Sequence, residues 1–215
     1  MSGSERVAFE LPWPWGGDRL ELHDLRRLNY IIGPLGSGKM RLAFAIAERL
    51  ADTGLIGLER LADGGAQARR RMRADAALRS RVNQILVRLT DAGAQRSSAL
   101  ISLLVELESA GAKHRVVDMV EQGLDRATQQ ALIAHLRRRE PDSGSLFLLT
   151  RSNAILDLSV VGPHEAIILC PANYGPPLHV APHPGAPGYE SIATCLAAPE
   201  VRAPTAGATA ARSPA

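Results

Sequence analysis

A three-layer α/β fold is predicted by three features of the sequence. Strand-like apolar runs alternate with helical segments, and the run LNYIIG from Leu28 is continuously apolar, as in a parallel strand buried on both faces. That run also passes through a glycine-rich turn straight into an amphipathic helix. Length and composition agree: 215 residues, 46% of them hydrophobic, suffice for one filled core plus a tail.

Each element follows in order. VAFEL from Val7 and RLELHDL from Arg19 alternate apolar and polar residues around Pro12, Trp13, Pro14, Trp15 and a Gly16-Gly17 turn, which predicts an amino-terminal β-hairpin. After Met40, Leu42, Ala45, Ile46 and Leu50 fall on one helical face. LIGLERL from Leu55 reads as a second strand, and the Ala- and Arg-rich stretch from Ala66 to Leu89 as a small helical insertion. A helix from Ser97 to Ser109 leads into HRVVDMV, a strand ending at an aspartate. RATQQALIAHLRRR is helical, and SLFLLTRS and EAIILC are the final strands. Residues 1–176 form the expected domain. Residues 177–215 form a Pro/Ala/Gly-rich tail, at least partly disordered, with one apolar patch from Tyr189 to Leu196.

The formal charge of +3 comes almost wholly from arginine, since Lys39 and Lys113 are the only lysines. Arg69, Arg70, Arg71, Arg73, Arg79 and Arg81 crowd the helical insertion, where a solvated helix surface is the ordinary meaning of such a run; charge alone does not call for a nucleic-acid partner. Cys170 and Cys195 lie in unlike contexts and read as ordinary thiols, and the six histidines, read as surface or incidental, show no metal-ligand spacing. Neither a signal-peptide pattern nor a stretch of roughly 20 apolar residues appears, so no membrane insertion is expected and the location implied is cytoplasmic.

The chemistry begins at GPLGSGKM, comprising Gly33, Pro34, Leu35, Gly36, Ser37, Gly38, Lys39 and Met40. It fits GxxxxGK, follows an apolar strand and opens a helix, which is the context of a P-loop NTPase. Glycines let backbone N–H groups face phosphate oxygens, the helix presents its positive end, and Lys39 adds a full charge, so ATP is the expected ligand. Met40 breaks the pattern. A Ser or Thr hydroxyl normally stands there as a Mg²⁺ ligand, and a thioether is a poor donor for a hard cation.

Further along, HRVVDMVEQGLDRATQQALIAHL from His114 and SLFLLTRSNAILDL from Ser145 resemble the ABC-like ATPase heads, in particular the bacterial group related to SMC and RecF proteins; with the glycine loop the similarity runs from about Leu28 to Leu158. The resemblance implies that Asp118 is the Walker B aspartate, holding the Mg²⁺ shell. It implies that Gly123, Leu124 and Asp125 are the D-loop that touches a second subunit, and that Thr150 and Ser152 flank the switch motif. A homodimer or a partner ATPase follows from the same resemblance.

Four positions depart from the family. Met119 stands where a glutamate activates water, and methionine has no proton acceptor for that work. Arg151 replaces the switch histidine but still offers a cation to a γ phosphate, leaving Asp118 and Arg151 as the catalytic candidates. LTDAGAQR from Leu89, the candidate signature, keeps Gly93 and puts Asp91 where a serine would meet phosphate. Met40 is the fourth. Glu121 is a substitute base only if a shift of two residues past the strand end still points it inward, and either Trp13 or Trp15 is a candidate to stack on adenine.

The expected protein binds ATP, hydrolyses it weakly or not at all, and acts through nucleotide-dependent dimerisation or partner binding. Two other readings were weighed: a P-loop small-molecule or nucleotide kinase with Arg69 to Arg81 as a lid, and a non-catalytic scaffold.

Overall fold

The computed structural model describes residues 7–22, 25–140 and 143–197. Strands β1 (Val7–Glu10) and β2 (Arg19–Leu22) form the expected antiparallel hairpin, with Phe9 opposite Leu20. β3 (Leu28–Ile32) runs into the glycine loop and α1 (Lys39–Arg49). β4 (Thr53–Ile56) precedes a single 3₁₀ turn (Leu58–Leu61), so the stretch read as one strand from Leu55 is half strand and half helical turn.

The insertion is two helices, α2 (Ala66–Ala74) and α3 (Ala76–Asp91), divided at Asp75. Asp75 adopts extended backbone and its carboxylate accepts the Leu78 N–H, so a residue inside an apparently continuous helical pattern is the N-cap of the second helix. α4 (Ser98–Glu108), β5 (His114–Val117), α5 (Arg126–Leu136), β6 (Leu146–Leu149) and β7 (Glu165–Leu169) follow as expected.

EAIILC is not the last strand. β8 (Leu178–His179) pairs antiparallel with β7, and α6 (Tyr189–Cys195) follows, with Val180 and Ile192 buried in the main core. Residues 178–196 of the Pro/Ala/Gly-rich stretch therefore pack on the body, because the apolar patch around Ile192 covers the sheet edge at Leu169 and Leu178. Residues 198–215, including the stretch from Ala203 expected to be disordered, lie outside the described residues.

The six-stranded sheet has the order β4-β5-β6-β3-β7-β8, parallel except for β8. Alternation along the strands divides the core. Ile31, Val116, Phe147, Leu149 and Ile168 face the layer made by the hairpin and α1. Tyr30, Ile32, Val117, Leu148 and Ile167 face the helices on the other side. These are the three layers. The carboxyl ends of β3, β5 and β6 thus open side by side on one edge, the usual location of a ligand crevice in such sheets.

Part of the arginine run knits the helical layer. Arg71 donates to Glu106 at 2.6 Å and to the Ser109 hydroxyl, Arg81 donates to the Glu108 carbonyl, and Arg69 donates to the Gly64 carbonyl. Among the described residues no helix is long and apolar enough to cross a membrane.

Candidate functional site

The glycine loop leaves β3 at Gly33 and enters α1 at Lys39 with no side chain capping the first turn and no acidic residue in it. The leading N–H groups of the helix are therefore left for an outside acceptor. Gly38 has φ +88, and a Cβ there would stand 2.6 Å from the ring of Trp15; the loop closes only because glycine occupies that position. A Cβ on Gly33 would meet the Cys170 carbonyl oxygen at 2.3 Å, which is how closely the loop lies on the end of β7.

Leu35, Gly36, Ser37, Gly38, Lys39 and Met40 line a cleft of about 430 Å³, while Gly33 and Pro34 lie behind it and hold the lysine. The Lys39 Nζ donates to the Gly33 carbonyl at 2.7 Å and the Pro34 carbonyl at 2.6 Å. An ammonium has three donors, so one remains for an anion in the cleft. Burial pulls Lys39 below its ordinary pKa; Cys170 opposes the shift and Arg151 adds to it.

Asp118 follows β5 directly and is the one carboxylate among the described residues lining this cleft. Burial pushes its pKa up, with Arg60 opposing and Glu121 and Glu59 reinforcing. Arg60, from the 3₁₀ turn, is buried and donates to the carbonyls of Gly57, Asp118 and Met119. It braces the turn in which Met119 takes φ +45, an uncommon conformation for a residue with a side chain, and Met119 lines the cleft.

Glu121 does not line the cleft. The residue is 7% exposed, and its carboxylate accepts the Thr150 hydroxyl at 2.8 Å and the Arg151 N–H at 2.9 Å. It therefore fastens the end of β6 to the turn after β5 and delivers Arg151 to the cleft wall. From the other side, the Arg151 carbonyl accepts the Ala197 N–H, so the segment after α6 closes on the same residue.

No protein-family model matches the sequence, and comparison with curated proteins gives no match. Solved structures do match. The SMC head domain from Thermotoga maritima aligns with TM-score 0.51 at 13% identity, over 76% of this chain and 93% of that one. CbiO1 from Clostridium perfringens, described as part of the ABC transporter complex CbiONQ, aligns with TM-score 0.50 at 13% identity, over 82% and 88%. A bacterial Atm1-family ABC exporter with ATP bound aligns with TM-score 0.53 at 12% identity, over 76% of this chain and 36% of that one. This chain has the ABC-like P-loop ATPase fold. At such identities the likeness speaks for the fold and not for an activity.

Within the ABC-like fold the remaining motif residues take definite places. Asp125 caps α5 by accepting the Thr128 N–H at 2.7 Å. Gln129, buried in α5, donates to the Leu124 carbonyl and accepts the Ser152 hydroxyl, tying the GLD turn to the strand end after β6. Asp91, expected to meet phosphate, is the last residue of α3 and is exposed. The loop that opens α4 is Gln95 to Ser97, with Ser97 as N-cap and the Gln95 N–H donating to Thr128. α3 runs through LTD to Asp91, and Gly93, with φ +95, follows its C-cap Ala92.

The two tryptophans separate cleanly. Trp15 is buried against Gly38 and donates to the Gly175 carbonyl, while Trp13 is 69% exposed at the cleft mouth with the Arg41 guanidinium 4.5 Å from its ring centroid. Arg41, Tyr174 and Arg60 escaped the sequence reading. Arg41 was findable, standing two residues after Lys39 in the first helical turn; nothing in LERL marks Arg60 as a buried brace. His114, read as incidental, is buried and accepts the Ser145 N–H through Nδ1. None of the six insertion arginines lines the cleft.

A divalent cation, typical of this fold, fits the donor set poorly. Met40 and Met119 line the cleft with Asp118, and the Thr150 hydroxyl donates to Glu121.

Proposed function

We propose that this chain is an ATP-binding protein of the ABC-like ATPase class with weak or absent hydrolysis, whose nucleotide-bound form assembles with a second copy or with a partner ATPase. One observation carries the reading: a single cleft joins the glycine loop and Lys39 to Asp118 and Arg151, while the position that would hold a water-activating carboxylate presents Met119. Electrostatic grip is retained and the general base is missing. Glu121 is engaged by Thr150 and the Arg151 N–H and takes no part as a base. A matching Atm1-family exporter has ATP bound, which is consistent with a nucleotide as the ligand.

Turnover by wild type and Met119→Glu, read beside molar mass with and without ATP, tests this. Slow turnover that Met119→Glu does not fully restore, together with ATP-dependent dimers or partner complexes, is expected. Brisk Mg²⁺-dependent hydrolysis by the wild type, lost in Lys39→Ala, would overturn it.

A further inference from the structure

We propose that the cleft takes a nucleoside triphosphate as the free polyanion, with Lys39, Arg41 and Arg151 supplying the positive charge that a divalent cation would otherwise bring. This rests on the nucleotide reading above and deepens it.

Of the hydroxyls lining the cleft, Thr150 is committed to Glu121, while Ser37 is buried without a partner. Mg²⁺ requires near-octahedral oxygen ligation, and the hydroxyl that normally follows the loop lysine is here the thioether of Met40. The neighbouring carboxylates are engaged elsewhere: Glu59 accepts the Gly57 N–H, and Glu121 accepts Thr150 and the Arg151 N–H. Behind Asp118 sits a resident cation, the Arg60 guanidinium, braced on three carbonyls. Arg60 thus already places a positive charge near Asp118, and a single carboxylate in a cleft also lined by Met40 and Met119 is a weak site for a hard ion.

Cations converge on the same space. Lys39, Arg41 and Arg151 all line the cleft. Arg41 lies over Trp13 and donates to the Trp13 carbonyl, which sets its guanidinium at the mouth. Arg151 is positioned through its backbone by Glu121 on one side and Ala197 on the other. Guanidinium groups remain charged at any working pH and match phosphate oxygens in a fork. Cations gathered in one half-buried cleft repel one another, and a polyphosphate carrying its full charge relieves that repulsion better than one already neutralised by metal.

ATP affinity of the full-length protein, measured by displacement of a fluorescent ATP analogue in EDTA and in Mg²⁺, decides the matter. Wild type is expected to bind at least as tightly in EDTA as in Mg²⁺, and Arg151→Met to lose about tenfold in EDTA, the usual size of a charge-assisted contact. Met40→Thr, which supplies the hydroxyl, is expected to gain a Mg²⁺ enhancement that wild type lacks. Tightening of the wild type by Mg²⁺ about tenfold or more, or an unchanged EDTA affinity in a folded Arg151→Met, overturns the inference. The first of these leaves the nucleotide reading standing. Wild type that binds ATP in neither buffer overturns both.

Discussion

The strand end at β3 and the paired strand ends at β5 and β6 face one cleft yet are built on opposite principles. After β3, nearly everything is backbone: glycines, the uncapped start of α1 and carbonyls that hold Lys39. After β5 and β6, side chains set the arrangement: Arg60 braces the carbonyls of Asp118 and Met119, and Glu121 fastens the Thr150 hydroxyl and the Arg151 N–H. The first half keeps its glycines and Lys39 and departs at Met40, whereas the second departs at Met119 and Arg151. Backbone machinery tolerates few substitutions because its geometry depends on glycine, whereas side-chain machinery changes one residue at a time without disturbing the sheet. Under the proposed function binding and turnover are separable, with Met119 and Arg151 on the side assigned to turnover.

The sharpest test of this contrast is Lys39→Ala, expected to weaken ATP binding about a hundredfold by titration, since a charge-assisted contact to phosphate is lost. Next, Gly38→Ala should lower stability by about 2 kcal/mol in urea unfolding, because the left-handed backbone and the Trp15 ring both oppose a Cβ. Gly36→Ala, with φ +78 but open space around it, should cost only about 1 kcal/mol. Equal losses at the two glycines would break the claim that close packing on Trp15 shapes the loop.

Glu121→Gln sharpens the other half. It sets an amide N–H₂ against one of two donors and should cost about 1–2 kcal/mol of stability, with a smaller loss of ATP affinity than Lys39→Ala. Arg71→Met, remote from the cleft, should cost about 1 kcal/mol or less and leave ATP affinity unchanged; altered affinity would show that the helical layer reports to the site.

The smallest effect concerns pH. Folding raises the Asp118 pKa, so the native state binds more protons than the unfolded chain just above the ordinary carboxylate range, and this residue's contribution to stability falls as pH rises through that window. Asp118→Asn should therefore gain slightly over wild type at neutral pH, the gain fading on acidification below the unfolded value, as followed by thermal melting across pH.

Legibility in the sequence followed the same division. The loop from Gly33 to Met40 was readable because its function resides in contiguous residues and in the strand and helix on either side. Asp118 and Arg151 were readable as strand ends. The helical segment read as ending at Leu89 extends to Asp91, since Thr90 and Asp91 carry no stop signal and Gly93 lies just past the C-cap. Residues 178–196 were read as tail because their apolar content is thin, yet Ile192 is fully buried and Ala197 bonds to Arg151.

By itself, then, the sequence determined the order strand, glycine loop, helix, the layered class and the loss of hydroxyl and base around the phosphate site, since each is carried by local pattern and residue chemistry. Only the tertiary structure decided that Glu121 turns away from the cleft, that Arg60 stands behind Asp118, and that Trp13 rather than Trp15 reaches the mouth. The direction of a side chain beyond a strand end depends on which strands lie beside it, and that adjacency belongs to the sheet order, which no short stretch of residues encodes.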